Sequence, residues 1–268
     1  MANLNSHQAV YRYIIGLFKD NLETDDDILL FEALQHNDIK HACQAIREAH
    51  SGEVIYQHLT LRFGENAEQS VYQYQLSPQI KYCLDLFSFY LALRQSRFQI
   101  ETFHPDFISN VVVPIQLNAL LWAPGQHFLS QLFAHHKKAL THVIPSLQIH
   151  PSSESYESVA PLLEKIEEYA HTFWLEVSPP YAHFERLITL KPNMVKVSVS
   201  LKEKQDRQAF LPIVKLLRRH KLKWVASRVA TQTELNQYKL LGAHCYFGYF
   251  SDIPTSLSFR HLDENMPE

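Results

Sequence analysis

Glycine is scarce in this chain, with six in 268 residues. A phosphate cradle made of backbone N–H groups needs glycines at fixed spacing, and neither Gly-x-Gly-x-x-Gly nor Gly-x-x-x-x-Gly-Lys occurs. Cysteine is scarcer still. Cys43, Cys83 and Cys245 form no Cys-x-x-Cys pair and no even framework, which argues against a disulfide scaffold and suits a reducing compartment. Gly-x-Ser-x-Gly is missing too, so no nucleophile elbow is available. No apolar run approaches the ~18 residues of a membrane-spanning helix. The opening MANLNSHQAVYRY lacks the basic-then-apolar layout of a signal peptide, so a cytoplasmic protein without membrane contact is expected. Nor is there an excess of one charge. Twenty-five Lys and Arg stand against 28 Asp and Glu, a formal net charge of -3, and no nucleic-acid partner is expected.

What is present suits a folded domain. Apolar residues make up 46% and charged residues 20%, enough for a large core. Sixteen histidines are many, but they are dispersed, as surface and core histidines are. Val10, Tyr13, Ile14, Leu17 and Phe18 fall on one helical stripe, and Asp25, Asp26 and Asp27 suit the start of a second helix near Leu29 to Leu34. This pair reads either as helices packed on the neighbouring domain or as an arm for a partner.

Beyond it, strand-like runs alternate with helical ones. The strand candidates are Ala42–Arg47, Val54–Phe63, Asn110–Leu117, Ser146–His150, Phe173–Val177, Met194–Val199, Trp224–Arg228 and Ala243–Phe247. Helical stretches follow Ser77-Pro78 and cover Gly125–Lys138, Tyr156–Tyr169, Lys204–His220 and Gln232–Leu241. A short connection around Gly52 makes the first two strands an antiparallel hairpin, and the rest implies parallel pairing. The expected fold is an α/β, TIM-like (β/α) barrel with an antiparallel first strand pair and a short N-terminal helical extension. A doubly wound open sheet is the competitor. The expected boundaries are residues 1–37 for the extension, 38–258 for the barrel and 259–268 for a tail.

Four segments carry a resemblance. Glu53-Val-Ile-Tyr-Gln-His58-Leu59-Thr60-Leu61-Arg62 resembles the Glu-Ala-Leu-Leu-Arg strand of EAL-type cyclic di-GMP phosphodiesterases, with His58 at the glutamate. Upstream, Gln44-Ala45-Ile46 and Ser51-Gly52-Glu53 are similar to that family's Gln-Pro-Ile strand and Thr-Gly-Glu turn. Met194-Val195-Lys196-Val197-Ser198 resembles its Lys-Ile-Asp strand. Ala226-Ser227-Arg228-Val229-Ala230-Thr231, then Leu241-Gly242, Phe247-Gly248-Tyr249 and Pro254, resemble its Ala-Glu-Gly-Val-Glu-Thr, Leu-Gly, Gln-Gly-Tyr and closing proline.

Active members hold two divalent cations about 3.5–4 Å apart, which need several oxygen ligands. The resemblance places His58, Gln116, Gln148, Pro151, Val177, Ser198, Ser227 and Ala230 at ligand positions, with Asn118 an alternative to Gln116, and Phe247 at the glutamine of Gln-Gly-Tyr. It leaves Glu176 and Lys196 as vestiges of the ionisable machinery, whose bland reading is a rim ion pair. Arg62, and with it Lys196, are the candidate ligand-binding residues; Arg62 suits a phosphate or a structural ion pair. A zinc site from His58, His150 and His183 is a further option without paired spacing to support it. The resemblance therefore implies no metal, no cofactor and no enzyme. It implies a non-catalytic regulator acting through a protein partner in bacterial signalling, with a cyclic di-GMP receptor as the alternative.

Overall fold

The computed structural model describes residues 4–64, 68–149, 156–170, 172–178, 190–199, 201 and 203–256, with only the backbone described at 156–158. Helix α1 (His7–Asp20) buries Val10, Ile14, Leu17 and Phe18, and Ser6 caps it by accepting the Ala9 N–H. Helix α2 (Asp25–Gln35) begins in a capping box. Thr24 accepts the Asp27 N–H, and the Asp27 carboxylate accepts the Thr24 N–H. Asp25, Asp26 and Asp27 occupy the first turn, where negative charge offsets the helix dipole. Asp27 also accepts the Ser77 N–H, tying α2 to the entry of α3 (Pro78–Thr102). Phe18 stacks on Phe31, and α1 packs along α3. The apolar side of the extension belongs to the same buried cluster as the outer layer of the barrel.

The hairpin of β1 (Ile39–Glu48) and β2 (Val54–Phe63) starts the barrel, with a two-residue β3 (Gln69–Ser70) at its edge. Parallel strands β4 (Val111–Gln116), β5 (Val143–Gln148), β6 (Trp174–Val177), β7 (Met194–Ser198), β8 (Trp224–Ser227) and β9 (Cys245–Tyr246) follow. β9 returns antiparallel to β1, which closes an eight-stranded barrel, and β10 (Thr255–Ser256) lies against β1. The surrounding helices are α4 (Leu117–Leu121), α5 (Ala123–His135), α6 (Lys137–Leu140), α7 (Tyr156–Ala170), α8 (Lys204–Arg219) and α9 (Gln232–Leu240). The expected barrel is therefore present.

Period-2 alternation sorts each strand into two cores. One face joins the helices. The other closes the barrel floor with Ile46, Val112, Ile144, Trp174, Met194, Val225 and Cys245, and Tyr56 meets Trp174 edge-on at 5.1 Å. Boundaries differ locally from expectation. β5 starts three residues early, because Pro145 is accommodated in the ladder opposite Val113. The expected helix over 125–138 breaks at His136, and β9 is two residues long.

Asp252 completes the closure. Arg47 donates to both its carboxylate oxygens, and Gln44 donates to its backbone oxygen at 2.7 Å. The Arg47 guanidinium in turn holds Asp252 below the usual carboxylate range.

His41 lies on β1 at 1% exposure, its Nε2 2.9 Å from the Ser88 hydroxyl. Burial pushes it down to about 3, and burial together with His136 pushes His7 down to about 4. Both pKa values are depressed, so the unfolded chain takes up protons that the fold refuses. Stability is then whole above about pH 6.5 and is lost as pH falls toward these values. Urea midpoints should decline from pH 7 to pH 4, and His41→Gln should make that decline shallower; an unchanged slope contradicts the assignment.

Candidate functional site at the barrel mouth

Active sites of such barrels sit at the carboxyl ends of the strands. Here that end opens into a cavity of about 480 Å³. The alternation that puts Tyr56, Val112, Ile144, Trp174, Met194 and Val225 in the floor puts residues two to four places on in the mouth. These include His58, Gln116, Gln148, Glu176, Lys196, Ser198 and Ser227. Arg62, two further places along β2 from Thr60, lines the rim.

Lys196 sits at the centre, 4% exposed. Its ammonium donates to Glu176 Oε2 at 2.8 Å and to His58 Nε2 at 3.1 Å, and lies 5.5 Å from the centre of the Phe247 ring. Burial, and secondarily the Lys196 charge, hold His58 well below its ordinary value, so its ring accepts as a neutral imidazole. That ring packs on Phe247 at 4.5 Å. Gln148 donates to the same Glu176 oxygen at 3.2 Å. Ser198 and Ser227, opposite each other in the ladder, share a 2.9 Å hydroxyl contact, and Ser227 also donates to the Val197 carbonyl.

The structure thus brings His58, Gln116, Gln148, Glu176, Lys196, Ser198, Ser227 and Arg62 together. Two other positions are not in the mouth. Val177 faces the outer helix-packed core, because it is one residue on from Glu176 and the strand alternates. Ala230 lies in the loop before α9, where its N–H is taken by Glu234. Gln116 ends β4 and lines the mouth, whereas Asn118 belongs to α4. Pro151, His150 and His183 lie outside the described residues.

Four participants escaped the sequence reading. Asp85 on α3 is 2% exposed and accepts the Gln116 N–H at 2.8 Å and the Tyr72 hydroxyl at 2.9 Å. Burial raises it to about 7 despite these bonds. Tyr72 therefore lines the mouth from a fixed support. Tyr249 accepts from Arg62 at 3.1 Å, and Arg228, just beyond β8, reaches the same cavity.

Do these side chains fit a pair of divalent cations? Glu176 is the one carboxylate among the described residues that line the cavity, and Lys196 and Gln148 already occupy it. No group of three or more His, Cys, Asp or Glu side chains suited to a metal occurs among the described residues. His58 directs Nε2 at an ammonium. This donor set does not fit a cation pair.

Removing one partner of a buried pair leaves the other charge uncompensated. Glu176→Gln should destabilise the fold by about 3 kcal/mol in urea unfolding. Pairing it with Lys196→Met should recover much of that loss. A double variant no better than Glu176→Gln alone contradicts the coupling.

Neither known protein families nor curated proteins match this chain. Solved structures do. Bacillus subtilis YkuI, a protein with an EAL domain in complex with substrate c-di-GMP and calcium, is 17% identical with a TM-score of 0.69; it covers 85% of this chain, which spans 58% of it. A c-di-GMP complex of PaMucR phosphodiesterase is 18% identical with a TM-score of 0.72, covering 89% of this chain and 100% of its own. An EAL domain protein from Listeria monocytogenes EGD-e is 12% identical with a TM-score of 0.62, covering 91% of this chain and 98% of its own. The likeness corrects the expectation that the chain is not an enzyme. Replaced ligands describe one donor set, and the loss of that set does not by itself decide activity. The finding that sets that expectation aside is the fold itself, which is shared with a protein named as a phosphodiesterase. At these identities the likeness establishes architecture: this chain has the fold of EAL domains.

Proposed function

We propose that this chain serves cyclic dinucleotide signalling and takes cyclic di-GMP in the mouth of its barrel. The observation that carries the reading is electrostatic. Among the described lining residues Arg62, Lys196 and Arg228 stand against Glu176, a surplus of two positive charges. A cyclic dinucleotide carries two phosphodiesters, each with one negative charge, so the ligand and the mouth are complementary. Tyr72, Tyr249 and Phe247 add aromatic surface on which bases can stack. YkuI and PaMucR, with which the fold is shared, are described as c-di-GMP complexes.

A protein partner is a second reading of the same signalling role. It is favoured by Ile28 and Leu29 on α2, which stay 46% and 56% exposed although apolar. Under this reading the extension contacts the partner with α2 while α1 holds it to the barrel.

Titration calorimetry with cyclic di-GMP tests the first reading. Binding at micromolar or tighter affinity is expected, and Arg62→Ala should weaken it about tenfold, the scale of one charge-assisted hydrogen bond. Chromatography of the same mixtures, with magnesium or manganese added, records turnover. No binding in any buffer contradicts the reading. For the second reading, Ile28→Lys with Leu29→Lys should abolish capture of a native partner while nucleotide affinity stays unchanged.

A further inference from the structure

Arg228 follows the last residue of β8 with φ +61, a left-handed conformation that few side-chain-bearing residues adopt. The other described non-glycine residues with positive φ are Asn37, Lys191 and Lys221. Asn37 and Lys221 directly follow helix ends, an ordinary place for such a backbone, and Lys191 lies in the turn before β7. Arg228 ends no helix. It opens on the mouth.

Its neighbours hold it there. The Val229 N–H donates to the Phe247 carbonyl, and the Phe250 N–H donates to the Val229 carbonyl. On the strand side the Phe247 N–H donates to the Ala226 carbonyl. Gly248 lies so close that a Cβ on it would fall 2.2 Å from Val229 O and 2.3 Å from Val229 N. Only glycine permits this approach. The backbone on both sides of Arg228 is thus fixed, and the strain is imposed by the closure of the barrel.

Arg228 is exposed, and among the described residues it makes no hydrogen bond or ion pair. Lys196 and Glu176, by contrast, neutralise each other at 2.8 Å. Among the described lining residues two guanidinium groups are then left without a counter-charge, Arg62 on β2, which donates only to the neutral Tyr249 hydroxyl, and Arg228 after β8, separated round the closed sheet by β1 and β9. Each presents a planar fork matched to phosphate oxygens.

We propose that Arg228 is a phosphate-binding residue of the mouth, and that with Arg62 it holds a dianionic phosphodiester ligand without a divalent cation. The proposal rests on the cyclic dinucleotide reading of this site. It assigns one guanidinium to each phosphodiester and leaves Lys196 as the built-in cation beneath them.

The test uses the full chain and its Arg228→Ala and Arg228→Gly variants, titrated with cyclic di-GMP in EDTA and in magnesium. Wild-type affinity should be the same in both buffers. Each variant should lose about tenfold or more, and the loss should shrink as salt rises. Arg228→Gly should also unfold at a higher temperature than wild type, because glycine relieves the strained backbone; a binding loss in that variant is then not a folding defect. Binding that requires magnesium, or an Arg228→Gly affinity equal to wild type, overturns the proposal and leaves the cyclic dinucleotide reading standing. If cyclic di-GMP fails to bind wild type in either buffer, that reading falls, and inorganic pyrophosphate becomes the probe. Pyrophosphate binding lost in Arg228→Gly sustains Arg228 as a phosphate site, and no binding to wild type overturns it as well.

Discussion

The ammonium of Lys196 sets the terms for the rest of the mouth. A charge held away from water needs compensating partners, and this one has a carboxylate, a neutral imidazole and an aromatic face. The same contacts settle the state of the neighbours. Glu176 is committed to the ion pair, His58 is kept uncharged by burial beside a cation, and Phe247 supplies its ring to both. With the central charges cancelled, the charge available to a ligand resides in the guanidinium groups at the rim.

The barrel delivers this arrangement by simple geometry. Its strands alternate, so the residues two places beyond the apolar floor must point into the cavity, and those between them must join the helices. Trp174 and Glu176 lie on one face of β6, and Leu175 and Val177 on the other. Antiparallel β1 is held by Arg47 and Gln44 to the Asp252 segment, which keeps Phe247 and Tyr249 over the opening. Asp85 does the same from outside the sheet, fixing Tyr72 and the end of β4 through one carboxylate. The contacts that close the barrel therefore also position the lining of the site.

Much of this could be read from sequence because it depends on local pattern. Leu59, Leu61 and Phe63 alternate with Thr60 and Arg62, and Val54–Phe63 forms the expected strand. The pairing of Lys196 with Glu176 was the plain reading of two charges that the resemblance left at the rim, since a buried charge needs a partner, and the ladder sets them side by side. Other features needed the third dimension. Val177 was placed in the mouth by motif matching, which counts residues but not the side of the strand they face. Pro145 hid the start of β5, since proline usually argues against a central strand. Asp85 sits in the middle of a long helix, with no motif to mark it. Arg228 carried a faint signal: it stands where the resembling segment Ala-Glu-Gly-Val-Glu-Thr has glycine. An arginine where the backbone requires a left-handed turn marks a residue placed against its own conformational preference.

The central claim is that the cation in this mouth is the protein's own lysine. Anomalous diffraction from crystals equilibrated with manganese addresses it most directly. The expected map shows no manganese peak in the mouth, with the Lys196 ammonium in place between His58 and Glu176. Two manganese ions bound to Glu176 and His58, with the lysine displaced, would contradict it.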